Sequence, residues 1–134
     1  SLFKLPGTPG PISSYKKLMA ALRGGSMVRT LVDLSLCTDA NGAKGPALST
    51  SVDIETFEQF ARKVFGNPLE YVSASSNNLV NSSTTLSRRY IKLRLREDES
   101  VEVVFKHLDP VKFTDSGEKI YTCKLGSSAK AWTL

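Results

Sequence analysis

Arg89-Tyr-Ile-Lys-Leu-Arg-Leu-Arg96 and, just beyond it, Val101-Glu-Val-Val-Phe-Lys-His-Leu108 are the stretches that decide the fold class. In the first, Ile91, Leu93 and Leu95 alternate with Tyr90, Lys92, Arg94 and Arg96; in the second, Val101, Val103 and Phe105 share one parity. A period of two is the mark of a half-buried strand. Bringing the two apolar faces together requires opposing residues whose numbers sum to an even value. A loop of Glu97, Asp98 and Glu99 gives Leu95 opposite Val101, Leu93 opposite Val103, Ile91 opposite Phe105 and Arg94 opposite Glu102. A loop longer by one residue at each end leaves these pairs unchanged, so the register is firmer than the turn type.

Working outward, Asp109-Pro110 ends the second strand, Thr114-Asp-Ser-Gly117 makes a turn, and Lys119–Leu125 is a further strand carrying Cys123. Upstream, 70–80 reads as a polar, Ser/Asn-rich strand near a sheet edge, and Thr38–Pro46 is a loop. Val28, Val32, Leu34 and Leu36 share a face in a strand that runs straight into Cys37. Before it, Tyr15, Leu18, Met19 and Leu22 recur at helical spacing, with Ser13 or Ser14 to cap the start and Gly24-Gly25 to end it. Residues 51–66 are ambiguous. Phe57, Phe60, Ala61, Val64 and Phe65 fit a helical face, whereas Val52, Ile54 and Thr56 fit a strand. The predicted class is mainly β (α+β): a short N-terminal helix followed by an antiparallel meander of about six strands, curled into a barrel or a coiled sheet. Residues 1–12, rich in Pro and Gly, form an extended segment; 13–126 form one domain; 127–134 form a tail in which Trp132 packs back or frays.

The 134 residues suit a single core. No run approaches the roughly 18 to 20 apolar residues of a membrane-spanning helix. The first residues lack the charged-then-apolar layout of a signal peptide, as expected where one has been removed or, equally, where the sequence has been trimmed. Eighteen Lys and Arg against 13 Asp and Glu give a net charge of +5, which favours acidic surfaces without selecting one. If Cys37 and Cys123 pair, they close a span of 86 positions and argue for an oxidising compartment, hence secretion.

Tyr15-Lys-Lys-Leu-Met-Ala-Ala-Leu-Arg-Gly-Gly25 followed by Val28-Arg-Thr-Leu-Val-Asp-Leu-Ser-Leu-Cys-Thr38 resembles the opening of the VirK-like family of small exported proteins. Ile120-Tyr-Thr-Cys123 resembles that family's second cysteine, and Val52-Asp-Ile-Glu-Thr-Phe57 its second strand. The similarity spans 13–125 loosely; Asp33–Thr38 and the second cysteine are its specific parts, while Gly66-Asn-Pro68 and the Ser/Asn-rich segment depart from the pattern. The resemblance implies export, to the outside or to a bacterial periplasm, a disulfide-closed domain, and no established catalytic residues. It also favours a strand over 52–59, with a helical turn after it.

The chemistry on offer is sparse. His107 is the one histidine, and no Gly-x-Ser-x-Gly elbow accompanies it, so it reads as a structural or solvated side chain, expected on the face opposite Val101, Val103 and Phe105. Asp53, Glu55 and Glu58 read as a polar face rather than an acid/base pair. Gly42-Ala-Lys-Gly45 lacks the spacing of a phosphate loop, two distant cysteines do not make a zinc site, and no cofactor or metal is expected. Arg88, Lys92, Arg94 and Arg96 line one strand face with Tyr90, a surface for anions that is partly neutralised by Glu102. Phe57, Phe105 and Phe113 are candidates for lining an apolar pocket, with core packing as the plainer alternative. Asn81-Ser-Ser is a glycosylation sequon. These observations lead to a secreted, non-catalytic binding or interaction module for a small apolar ligand or an extracellular protein or glycan, with nucleic acid disfavoured. The alternative is a small extracellular enzyme centred on His107.

Overall fold

In the computed structural model, which describes residues 10–82, 85–108 and 115–134, with backbone alone at 77–82, 85–88, 107–108 and 115–117, the hairpin forms in the expected register. In chain order the elements are β1 (Pro11–Ile12), α1 (Tyr15–Arg23), β2 (Val28–Asp33), a 3-10 turn (Leu34–Leu36), β3 (Thr38–Asp39), β4 (Ser49–Ile54), β5 (Glu58–Phe60), β6 (Tyr71–Ser82), β7 (Thr85–Arg96), β8 (Ser100–Leu108), β9 (Asp115–Lys124) and β10 (Ala129–Thr133). Leu95 faces Val101, Leu93 faces Val103 and Ile91 faces Phe105. The turn uses the short loop, with Glu99 in the left-handed region at φ 70° and its N–H donating to the Arg96 carbonyl at 3.0 Å.

The helix obeys its caps. Ser14 Oγ accepts from the Lys17 N–H, and at the other end Gly25, at φ 87°, closes a Schellman arrangement in which Ser26 N–H donates to the Ala21 carbonyl and Gly25 N–H to that of Leu22. Nine residues are marginal as a helix alone, so its apolar face, Tyr15, Leu18, Met19 and Leu22, is buried in the common core. Its first turn is also tied to the strands, because the Glu99 carboxylate accepts from Tyr15 N–H at 3.1 Å and Glu70 accepts from the Tyr15 hydroxyl at 2.8 Å. Burial and that carboxylate push the phenol's pKa upward, so the hydroxyl remains a donor.

The strands do not close a barrel. They form two antiparallel sheets, ordered β1-β10-β2-β4 and β3-β9-β8-β7-β6-β5. The reason lies in residues 49–60. β5 pairs with β6 only at Tyr71–Ser73, and after a bend at 55–57 the same stretch of chain, as β4, belongs to the other sheet, paired with β2. The strand preferred over 52–59 is therefore two strands in two sheets, and no described strand bonds β4 to β6. The meander is real over β6 to β9, but among the described residues the expected six strands become ten, several of two or three residues.

Two further expectations change. The strand from Val28 stops at Asp33 because the Asp33 carboxylate accepts from Ser35 N–H at 3.0 Å and Ser35 Oγ at 2.6 Å, which turns the chain into the 3-10 segment and leaves Leu36 64% exposed. The expected tail contains β10, an interior strand of the four-stranded sheet, with Trp132 opposite both Pro11 and Arg29. For His107 only the strand position is described, opposite Arg89, where the β8–β9 register shifts between Lys106 and Leu108; the face expected for its side chain lies outside the described residues.

Cys37 and Cys123 are bonded, with Cα atoms 4.6 Å apart. Cys37 follows the 3-10 turn and precedes β3, which pairs Thr38 with Thr122, so the cross-link ties the end of that turn to β9 rather than a first strand to a last one. Both cysteines are buried in a single cluster with Val28, Val32, Val52, Ile54, Val72, Leu93, Leu95, Val101 and Val103.

Candidate functional site

The alternation that buries Ile91, Leu93 and Leu95 turns Lys92, Arg94 and Arg96 to the outer face of the six-stranded sheet. Arg94 stands between Ser73 on β6 and Glu102 on β8, and Arg96 is opposite Tyr71. Glu102 accepts from Arg94 Nη1 at 2.9 Å and from Arg96 Nη2 at 2.6 Å, so one carboxylate serves two guanidinium groups. Arg94 Nε is buried and has no hydrogen-bond partner. An unsatisfied donor on a cation is costly, which marks the place as suited to an incoming acceptor.

Aromatic rings complete the surface. The Tyr71 ring lies 6.0 Å from the Arg94 guanidinium and stacks on Phe60 at 4.8 Å, and Phe60 meets Phe65 at 5.7 Å. Phe65 is 78% exposed. It is held out by its loop: Asn67 Nδ2 donates to the carbonyls of Ala61 and Leu69, Asn67 Oδ1 accepts from Phe65 N–H, and Lys63 N–H donates to the Asn67 carbonyl at 2.7 Å. Beside these rings Asn67, Pro68, Leu69, Tyr71, Arg94 and Arg96 line a cavity of about 230 Å³, smaller than a site that engulfs a drug-sized ligand. Arg62, on the chain between Phe60 and Phe65, is paired with Glu97.

The other candidates disperse. Phe105 is a core residue with the Arg89 guanidinium 4.9 Å from its ring, Phe57 is half-buried against the core, and Phe113 lies outside the described residues. For Arg88 and Asn81 only the strand positions are described, opposite Leu108 and Leu86. A groove of about 420 Å³ lies elsewhere, lined by Gly10, Pro11, Ile12, Ser13, Gly126, Lys130, Ala131 and Trp132. The sequence reading found the basic stripe but missed Phe60, Phe65 and Tyr71 as its companions, because Phe60 and Phe65 fit a helical face and Tyr71 sat in a segment otherwise read as polar. A polar cleft of about 470 Å³, lined by Arg29, Ser51, Asp53, Ser75 and Ser76, marks where β4 and β6 part.

Several carboxyls here are held below their usual range: Asp53 by hydrogen bonds from Arg29, Glu97 by one from Arg62, and Asp98 by those from the Ser100 hydroxyl and N–H. A carboxylate of this kind contributes its stability in full above the unfolded-state value of about 4 and loses it as the pH falls through its lower folded value. The urea midpoint is therefore expected to drop between about pH 5 and about pH 2, and Asp98→Asn should flatten that drop. A midpoint that does not change over this range would show that these contacts do not stabilise the fold.

Comparison with known proteins agrees with this architecture. The family model described as VirK protein matches residues 11–113. The crystal structure of a VirK family protein from Legionella pneumophila superposes with a TM-score of 0.72 at 17% identity, covering 90% of this chain and 97% of that one. No curated protein matches. Among the described residues no helix is long and apolar enough to cross a membrane.

Proposed function

Since the chain belongs to the VirK family, whose fold it shares with the Legionella pneumophila protein, we propose that it is a secreted, non-catalytic binding module that offers the outer face of its six-stranded sheet to an anionic extracellular partner. The observation that carries this reading is the Arg94 guanidinium: it shares Glu102 with Arg96, keeps a buried Nε without a partner, and sits beside the Tyr71 ring, which leads through Phe60 to the exposed Phe65. An acidic group entering the cavity supplies the missing acceptor, and Tyr71, Phe60 and Phe65 supply stacking area. The cross-link between Cys37 and Cys123 supports an oxidising compartment.

Immobilised heparin tests it. Arg94→Gln with Arg96→Gln is expected to weaken retention by about tenfold in affinity, while Lys16→Gln with Lys17→Gln, which removes the same charge from the exposed side of α1, changes it little. Equal effects of the two pairs would mean that retention follows net charge alone, and this reading would fall.

A second reading, a carrier of a small apolar ligand, is favoured by the groove between Pro11 and Trp132. Native mass spectrometry after incubation with a fatty acid mixture would show one added ligand, lost in Lys130→Glu, a change at an exposed residue of the groove that would repel the carboxylate.

A further inference from the structure

Natural sheets protect their edges with short strands, prolines, bulges or charge. Three of this protein's edges comply: β3 has two residues, β1 opens on Pro11, and β4 carries Asp53. On the fourth side β5 has three residues and pairs only with Tyr71–Ser73, so beyond Ser73 the outer side of β6 has no strand neighbour among the described residues. Among the described residues that remaining stretch carries none of these protections. All twelve residues of β6 lack charge, Pro and Gly, and its ladder with β7 runs from Tyr71↔Arg96 to Ser82↔Thr85 without a bulge. Farther along, among the described residues, β8 pairs with β7 only as far as Arg88, which leaves Val80–Ser82 and Thr85–Ser87 as a two-stranded ribbon. Such ribbons are marginal in water and gain from a third strand.

We propose that the outer edge of β6 over Asn77–Ser82 receives an extended acidic peptide of a partner protein as an added strand. This deepens the reading of an anion-binding face and rests on it. Charge selects the occupant: on β7, the next strand in, Arg88 and Arg89 stand opposite Leu79 and Asn78, Lys92 follows opposite Ser75, and β6 supplies no acidic group to offset them. A strand added outside β6 lies about 10 Å from β7, two strand spacings, within reach of Lys and Arg side chains and near the screening length of physiological salt. A second copy of this chain is the poorer occupant, since it brings another +5. Main-chain hydrogen bonds along the edge supply affinity, and alternate carboxylates supply orientation.

The probe is a fluorescein-labelled, capped nonapeptide, Thr-Glu-Val-Glu-Val-Glu-Val-Glu-Thr, against a copy with its four central amide nitrogens methylated and a copy with lysine in place of glutamate. The full chain should bind the first at least about tenfold more tightly than either control, and hydrogen exchange should slow at main-chain amides of 77–82. Equal binding of parent and methylated peptide, or protection confined to other residues, overturns strand addition while leaving the basic face in place. Failure to bind any of the three, with heparin retention still dependent on Arg94 and Arg96, overturns it as well. Loss of that heparin dependence instead removes the reading on which it rests.

Discussion

Removing the cross-link with Cys37→Ala and Cys123→Ala is expected to lower the unfolding free energy by about 4 to 5 kcal/mol, because the bond closes a span of 86 residues in the unfolded chain. That is as large as the whole stability of many small domains. The loss falls on one junction. Cys37 links the 3-10 turn to β9 where β3 contributes only Thr38 and Asp39 to the ladder, so little other pairing holds the two together. Urea unfolding followed by fluorescence, compared with wild type before and after reduction, measures it. Reduced wild type and the double variant should coincide, and a loss below about 1 kcal/mol would show that the unfolded chain already keeps these segments close.

Gly45→Ala is the second large effect. A Cβ at Gly45 would lie 2.1 Å from the Leu34 carbonyl oxygen and 3.1 Å from its carbon, and both are backbone atoms that no rotamer change can move. The loop must retreat, breaking the hydrogen bond from Gly45 N–H to the Cys37 carbonyl and pulling on the Leu34–Leu36 turn. About 3 kcal/mol of destabilisation is expected, the upper end for overpacking. Gly42→Ala is the comparison, since its Cβ meets nothing within 4 Å and only the left-handed φ of 81° is penalised, at about 1 kcal/mol. Chemical denaturation of the two variants side by side decides it, and equal losses would refute the steric account.

How much of this was legible in the sequence follows from the range of each interaction. The β7–β8 pairing could be read because both partners carry period-two patterns and lie a few residues apart, and Arg94 facing Glu102 came with it. The second grip of Glu102, on Arg96, is a diagonal contact that pairing alone does not disclose. Helix α1 was readable from Ser14 and Gly24-Gly25. The 3-10 turn was not, since Leu34 and Leu36 continue the strand's alternation and only the Asp33 carboxylate diverts the chain. Strand β10 was hidden because its inward residues, Ala129 and Ala131, are small and its partners lie near the other end of the sequence. Barrel or open sheet turned on the bend at 55–57, a backbone choice that side-chain patterning does not record. Of the binding face, the cations were visible and the aromatic loop was not, because Phe65 is exposed through Asn67's bonds to backbone atoms.

The interior position of β10 carries a consequence for the order of events during synthesis. It lies between β1 and β2, which are made far earlier, as residues 11–12 and 28–33, so the four-stranded sheet cannot assemble until residue 133 has emerged. At about 5 to 20 residues per second, β1 and β2 wait several seconds on the ribosome without their common neighbour. The helix, whose apolar face needs that sheet, waits with them. The nascent chain is thus kept from completing its fold until β10 has left the ribosome, and a chaperone or a translocation channel would meet it while β10 has yet to find its two neighbours.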